Sequence, residues 1–275
     1  MMKVFVYDLE KCNGCHNCQI ACKDEHVDNE WLPYAMPQPD TGQFWCKVEE
    51  EVCGKVPHVR VNYLPVQCNH CDEAPCMKGH PAVHKRADGL VVIDPEEAKG
   101  QKDIVASCPY GHIYWNEELQ IPQKCTGCAH LLDDGWDAPR CVDACCTGAL
   151  RFGEEADFGD ELKDAEVLGA DFGTVPRVYY LNKPKRFVAA TVVDLDADEV
   201  VEGATGLLQR ISDDAVVMTA ETDEFGDIWF EDVAPDSYRL WLKKEGYLDQ
   251  AVDADVTEGD HAIPELPFFR VPVRK

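Results

Sequence analysis

Apolar and polar residues change rhythm along this chain of 275 residues. Beyond Phe187 the apolar positions come in short β-rich runs: "FVAATVVDL", "TGLLQRI", "AVVMTAET", "DIWFEDV", "YRLWLKK" and "DQAVDADV". Turn chemistry separates them, as at Asp223-Glu224-Phe225-Gly226 and Ala234-Pro235-Asp236-Ser237. Six or seven such runs predict a small antiparallel β-sandwich. The first part of the chain is less regular. "HVRVNYLPVQ" reads as a strand, and "AVHKRADGLVVID" as a β-hairpin turning at Ala87-Asp88-Gly89. The segment with Pro33, Pro37, Pro39, Trp31, Tyr34, Phe44 and Trp45 reads as an insertion loop. Residues 153–168 are acidic and helical in part, and 173–187 form an extended, locally basic connector. A boundary near 186 divides the chain into domains 1–186 and 187–275. The fold class expected is α+β followed by an all-β sandwich.

Composition narrows the function. A hydrophobic share of 45% suits a folded globular protein. No apolar run is long enough to span a bilayer. The start, "MMKVFVYDLEKC", has neither a signal-peptide pattern nor a twin-arginine motif. A cytoplasmic location is expected, with export on a signal-bearing partner left open. The formal charge of −26 repels phosphate backbones and anionic lipid, so nucleic acid and membrane surfaces are poor partners. From Phe187 to Asp260 there are 20 acidic against 4 basic residues, which reads as a solubilising surface, with a salt-rich habitat or a basic docking partner as the alternatives.

All 15 cysteines fall between Cys12 and Cys146. A disulfide scaffold rarely leaves half of a chain unstapled, so the clustering points to metal. Motif one, "CNGCHNCQIAC", holds Cys12, Cys15, Cys18 and Cys22. Motif two, "CNHCDEAPC", holds Cys68, Cys71 and Cys76. Motif three holds Cys125 and Cys128 in "KCTGC", then Cys141 and Cys145 in "RCVDAC". Cys108 stands alone in "CPYG". In paired cubane clusters the fourth cysteine of a C-x2-C-x2-C-x3-C run ligates the other cluster. That rule yields three complete sets: Cys12, Cys15, Cys18 and Cys145; Cys125, Cys128, Cys141 and Cys22; Cys68, Cys71, Cys76 and Cys108.

A fourth set would need cysteine at Ala98, Gln101, Ile104 and His80, and all four places lack it. Loss of one whole set with three spared argues for three 4Fe–4S clusters. It argues against zinc ribbons, which share the C-x2-C pair. Cys46, Cys53 and Cys146 are left over and read as small buried side chains, with Cys146 next to a ligand. His70 is expected to hydrogen-bond near sulfur rather than bind iron. His80, without its partners, is expected to be structural or solvent-facing.

These cysteines, with "DGLVVIDPE", "CPYG" and "KCTGCAHLLDDG", resemble the electron-transfer subunits of the dimethyl sulfoxide reductase superfamily of molybdopterin enzymes. "YWNEE", "CAHLLDD", "PRVYY" and the C-terminal sandwich narrow the resemblance to small subunits of the pyrogallol–phloroglucinol transhydroxylase and catechol dehydroxylase group. The resemblance implies a double ferredoxin-like domain cross-ligated as above, with a transthyretin-like, immunoglobulin-like sandwich behind it. It also implies a heterodimer with a large catalytic subunit. That partner alone would hold molybdenum–molybdopterin guanine dinucleotide and act on polyhydroxylated aromatics.

This chain shows no Rossmann or phosphate-loop fingerprint and no plausible triad, so no catalytic residue is assigned to it. A redox subunit for transhydroxylation, or for reductive dehydroxylation, is the first reading. A free ferredoxin-like carrier and a mainly structural subunit are the competitors. The added sandwich counts against a freely diffusing carrier.

Overall fold

The computed structural model describes residues 2–272. The chain forms two compact units. One takes the residues up to Glu50 together with Tyr63–Lys183, and the other takes Glu51–Asn62 and the chain from Pro184 onward. Besides the boundary expected near 186, a hairpin tip from the first half, Glu51–Asn62, groups with the second unit.

In the first unit, β1 (Lys3–Asp8) leads to the first cysteine loop and then α1 (Asn17–His26). β2 (Cys46–Lys55) and β3 (His58–Gln67) pair as a ribbon whose tip, Glu51–Asn62, belongs to the second unit. β2 lies inside the stretch expected to be part of a loop region. Its middle, "EEEV", is exposed throughout, so it lacks the alternation that marks a half-buried strand. β4 (Val83–Lys85) and β5 (Val91–Ile93) form the hairpin expected from sequence. Next come α2 (Asp103–Ala106), the hairpin of β6 (Tyr114–Asn116) and β7 (Ile121–Gln123), then α3 (Ala129–Asp133) and α4 (Arg140–Asp143). β8 (Leu150–Glu154), α5 (Glu155–Phe158) and β9 (Val178–Leu181) complete the unit.

β1 is the centre of a three-stranded sheet, antiparallel to β8 and parallel to β9. It is buried on both faces, which explains its unbroken "VFVY" run. Tyr7 pairs in register with Leu150 and Tyr180, and its ring stacks on Tyr180 at 5.4 Å. Phe5, Tyr7, Leu90, Leu150, Val178 and Tyr180 form one core with Cys22, Cys68, Cys125 and Cys141. The apolar core of this unit is thus built directly around thiols.

The second unit is a sandwich with its own core, including Val188, Leu208, Ile228, Phe230, Leu240 and Phe268. Its strands are β10 (Arg186–Asp194), β11 (Glu199–Val200), β12 (Thr205–Arg210), β13 (Val216–Glu221), β14 (Asp227–Val233), β15 (Ser237–Lys243), β16 (Gln250–Asp255) and β17 (His261–Pro267). One sheet runs β13-β12-β15-β16 and is antiparallel throughout. The other runs β11-β10-β14, with β17 added parallel to β10. That parallel edge departs from the all-antiparallel expectation, because β17 returns beside β10 after a crossover rather than through a hairpin. His58, from the ribbon tip, is fully buried in this unit, with Nε2 3.1 Å from Asp227 Oδ1 and 3.2 Å from Thr191 Oγ1.

No helix of the described residues is long and apolar enough to cross a membrane.

Candidate metal centres

All 15 cysteines are free thiols, and the fold gathers 12 of them into three groups of four. The first group contains Cys12, Cys15 and Cys18, which lie on the loop and first turn leading into α1. Cys145 follows α4. Burial pushes the Cys12 thiol up, and the neighbouring charges of Cys18, Cys145 and Cys15 add to that push. The space among them is lined by Tyr7, Cys12, Cys15, Cys18, Cys145 and Leu150. Burial also acts on Cys145, yet its thiol is lowered: the Leu150 N–H donates to its Sγ at 3.3 Å and Thr147 assists. Gly14 makes the loop possible. Its φ is +68°, and a Cβ there would lie 2.2 Å from the Tyr63 ring.

The second group joins Cys22, one turn beyond Cys18 on α1, to Cys125, Cys128 and Cys141. The packing of α1 against α4 draws Cys22 and Cys141 together. Burial raises Cys22 and Cys128 well above the usual thiol range, and each feels Cys125 as a further like charge. Cys125 is pushed up to about 12, chiefly by burial. The Gly127 N–H donates to Cys125 Sγ at 3.3 Å, from a left-handed backbone at φ +65°. His26 Nε2 lies 3.9 Å from Cys128 Sγ. Burial, then His130, holds His26 down at about 3, so the ring is neutral.

The third group is Cys68, Cys71, Cys76 and Cys108. Burial pushes Cys71 up to about 12 and Cys76 up to about 11, with the other thiols of the group adding to each. Cys108 is raised by burial and by Cys68. These four thiols line one cavity with His70, Tyr110, Ile113 and Lys124. The Val91 N–H donates to His70 Nδ1 at 3.0 Å. Because Nδ1 accepts that bond, the ring's own proton sits on Nε2. That atom is buried without a protein partner.

The groups adjoin in sequence. Cys46 is buried beside both Cys18 and Cys141, between the first and second groups. Cys125 and Cys68 share one buried core, which brings the second group next to the third. Among the described residues no three His, Cys, Asp or Glu side chains close around a single ion. The thiols of the first and third groups instead line cavities, and the donor set suits iron–sulfur chemistry.

The four places of the absent set are filled otherwise. Ala98 and Ile104 are fully buried in a hydrophobic cluster with Cys71, Cys76, Val83 and Val91. The Gln101 amide donates to the Glu97 carbonyl at 2.8 Å. His80 Nε2 pairs with Asp103 at 3.0 Å. Of the three leftover cysteines, Cys46 is buried as expected and the other two are not. Cys146 is exposed, and its Sγ lies 3.9 Å from Cys15 Sγ. Cys53 is partly exposed in the second unit, where it receives the Asn62 amide at 3.2 Å. Lys124, His26 and the placement of Cys46 are not legible from the cysteine spacing. Adjacency to C-x2-C was the available signal for Lys124.

Residues 59–155 match the family described as a 4Fe-4S dicluster domain. The chain is 40% identical over 263 residues to the pyrogallol hydroxytransferase small subunit of Pelobacter acidigallici, a match that covers 91% of this chain and 94% of that one. It is 30% identical over 232 residues to the arsenate respiratory reductase iron-sulfur subunit of a Shewanella species, covering 64% and 94% of the two chains. It is 33% identical over 178 residues to an anaerobic dimethyl sulfoxide reductase chain of Escherichia coli, covering 64% and 83%. With its thiols arranged in this way, the protein belongs to the iron–sulfur electron-transfer subunits of the molybdopterin oxidoreductases, the family that includes the small subunit of pyrogallol hydroxytransferase.

Proposed function

We propose that the chain carries three 4Fe–4S clusters as a linear relay. It exchanges single electrons with a molybdopterin cofactor held in a large partner subunit, and that subunit acts on polyhydroxylated aromatics in the cytoplasm. Cys12, Cys15, Cys18 and Cys145 would hold the first cluster. Cys22, Cys125, Cys128 and Cys141 would hold the second, and Cys68, Cys71, Cys76 and Cys108 the third. When bound, the clusters supply one-electron redox chemistry. The chain's own residues fix sulfur positions, exclude water and set local charge. Peptide N–H groups at Gly127 and Leu150 stabilise thiolate character on Cys125 and Cys145.

The observation that carries this reading is the adjacency of the groups: Cys46 lies beside both Cys18 and Cys141, and Cys22, Cys125 and Cys141 share one buried core with Cys68. A chain of adjoining sites is what a relay requires, whereas clusters acting only as staples need no such order. The partner and its aromatic chemistry rest on similarity to the Pelobacter small subunit.

The test is anaerobic purification of the tagged chain from its native cells, with iron, molybdenum and tungsten quantified. About 12 irons per chain are expected, from three clusters of four. Molybdenum or tungsten should co-purify with a large second chain that converts pyrogallol or a catechol. Iron alone with no stable second chain would refute the subunit reading.

A further inference from the structure

Lys124 is 2% exposed, and no carboxylate lies within ion-pair distance of it among the described residues. Its ammonium donates to two backbone carbonyls, those of Val91 and Cys125. An ammonium has three donors and a full charge, and two neutral carbonyls leave that charge uncompensated. The other cation buried to a similar degree, Arg177, is matched by both Asp72 and Glu155. Lys124 lines the cavity of the third thiol group, and its charge reaches Cys76, Cys108 and Cys125. The unpartnered N–H of His70 lies on the same cavity.

We infer that Lys124 is the buried counter-charge of the third cluster and, with the His70 N–H, holds that cluster's reduction potential up, so that it is the electron-collecting end of the relay. This rests on the cluster reading above. Four thiolates around a cubane form a net anion, and reduction adds one electron and one negative charge without making or breaking a bond. A fixed cation and an N–H donor at the sulfurs therefore favour the reduced form more than the oxidised form. The second site shares part of this field, since Lys124 reaches Cys125 and Lys23 reaches Cys22, but Lys23 is only half-buried and is directed to the Pro39 and Gln43 carbonyls, while the His26 ring faces Cys128. Among the described residues, the first site has no buried lysine or arginine on its cavity.

The experiment is an anaerobic redox titration of the purified complex, followed by electron paramagnetic resonance of each cluster. In Lys124→Met the reduced-to-oxidised ratio of the third cluster at fixed potential should fall at least tenfold, about 59 mV for a one-electron couple. The first cluster should not move, and Lys124→Arg should restore the ratio. An unchanged third-cluster potential with full iron would overturn the inference. Should Lys124→Met lose iron, His70→Phe and pulsed deuterium resonance on the wild-type complex decide. A strongly coupled exchangeable proton on the third cluster, absent in His70→Phe, is expected. No such proton in the wild type would overturn it. A wild-type iron count near eight would instead refute the three-cluster reading before any variant is made.

Discussion

Arg177 grips Asp72 with two parallel hydrogen bonds, Nε to Oδ1 at 2.7 Å and Nη2 to Oδ2 at 2.6 Å. Arg177 directly precedes β9, and Asp72 directly follows Cys71. The fork therefore ties the parallel edge of the central sheet to the loop of the third thiol group. Two backbone bonds run beside it, from Asp72 N to Val175 O and from Glu73 N to Thr174 O. Planar bidentate geometry makes this pair stronger than a single ion contact. Asp72 keeps some solvent access, which moderates its worth. Arg177→Ala should destabilise the protein by roughly 2 kcal/mol and hasten iron release from the third site, both read by denaturant titration under argon. Arg177→Lys should recover less than half of that, because lysine cannot supply the fork.

Cys108→Ser should remove the third cluster while sparing the others. Iron should drop from about 12 to about eight per chain, and one set of resonance signals should vanish. Undiminished iron with all signals intact would show that Cys108 is not a ligand.

Cys46→Ala tests the reading of Cys46 as a neighbour of ligands rather than a ligand itself. Iron content should be unchanged and stability should fall by about 1 kcal/mol, the usual loss for a small buried side chain. The first and second clusters should shift in potential, since the thiol lies beside Cys18 and Cys141 and 3.8 Å from the Tyr7 hydroxyl. A loss of four irons would make Cys46 a ligand.

Gly127→Ala places a Cβ 2.7 Å from Leu90 in a left-handed backbone. The strain should cost about 1–3 kcal/mol and loosen Cys125 and Cys128, seen as faster bleaching of the second cluster by a chelator.

Asp133 supplies a pH test. Hydrogen bonds from Arg86, then from Tyr34, hold its carboxyl down at about 2, against 3.8 for an unperturbed aspartate. The folded pKa is depressed, so the stabilisation is complete above pH 3.8 and disappears as pH falls through about 2. The carboxylate is half-exposed, which limits the effect to roughly 1 kcal/mol. Asp133→Asn should trail the wild type by that amount at pH 7, with the gap closing toward pH 2.

The three thiol groups were legible in the sequence because cysteine at fixed spacing has few other uses, and one geometric rule proposes a fourth ligand for each. The β4–β5 hairpin was legible from its Asp-Gly turn between β-rich runs. β1 was passed over: with both faces buried, "KVFVYD" has no alternation and is too short to distinguish from a buried helical turn. β2 was passed over for the opposite reason, since its glutamates leave no apolar face. Lys124 was invisible because lysine is almost always a surface residue, and its burial depends on Val91 and Cys125 offering carbonyls from two separate segments.

The ribbon tip from Glu51 to Asn62 belongs with the sandwich, so the chain passes between its two units three times: after Glu50, after Asn62 and after Lys183. A module joined by one linker can be gained, lost or exchanged between genes in a single cut. One threaded in this way cannot. Ending the chain at Lys183 would strip His58 of Asp227 and Thr191 and leave an orphaned hairpin on the metal-binding half. Inheritance of the sandwich is thereby bound to the insertion in the first half, and relatives that lack one are expected to lack the other.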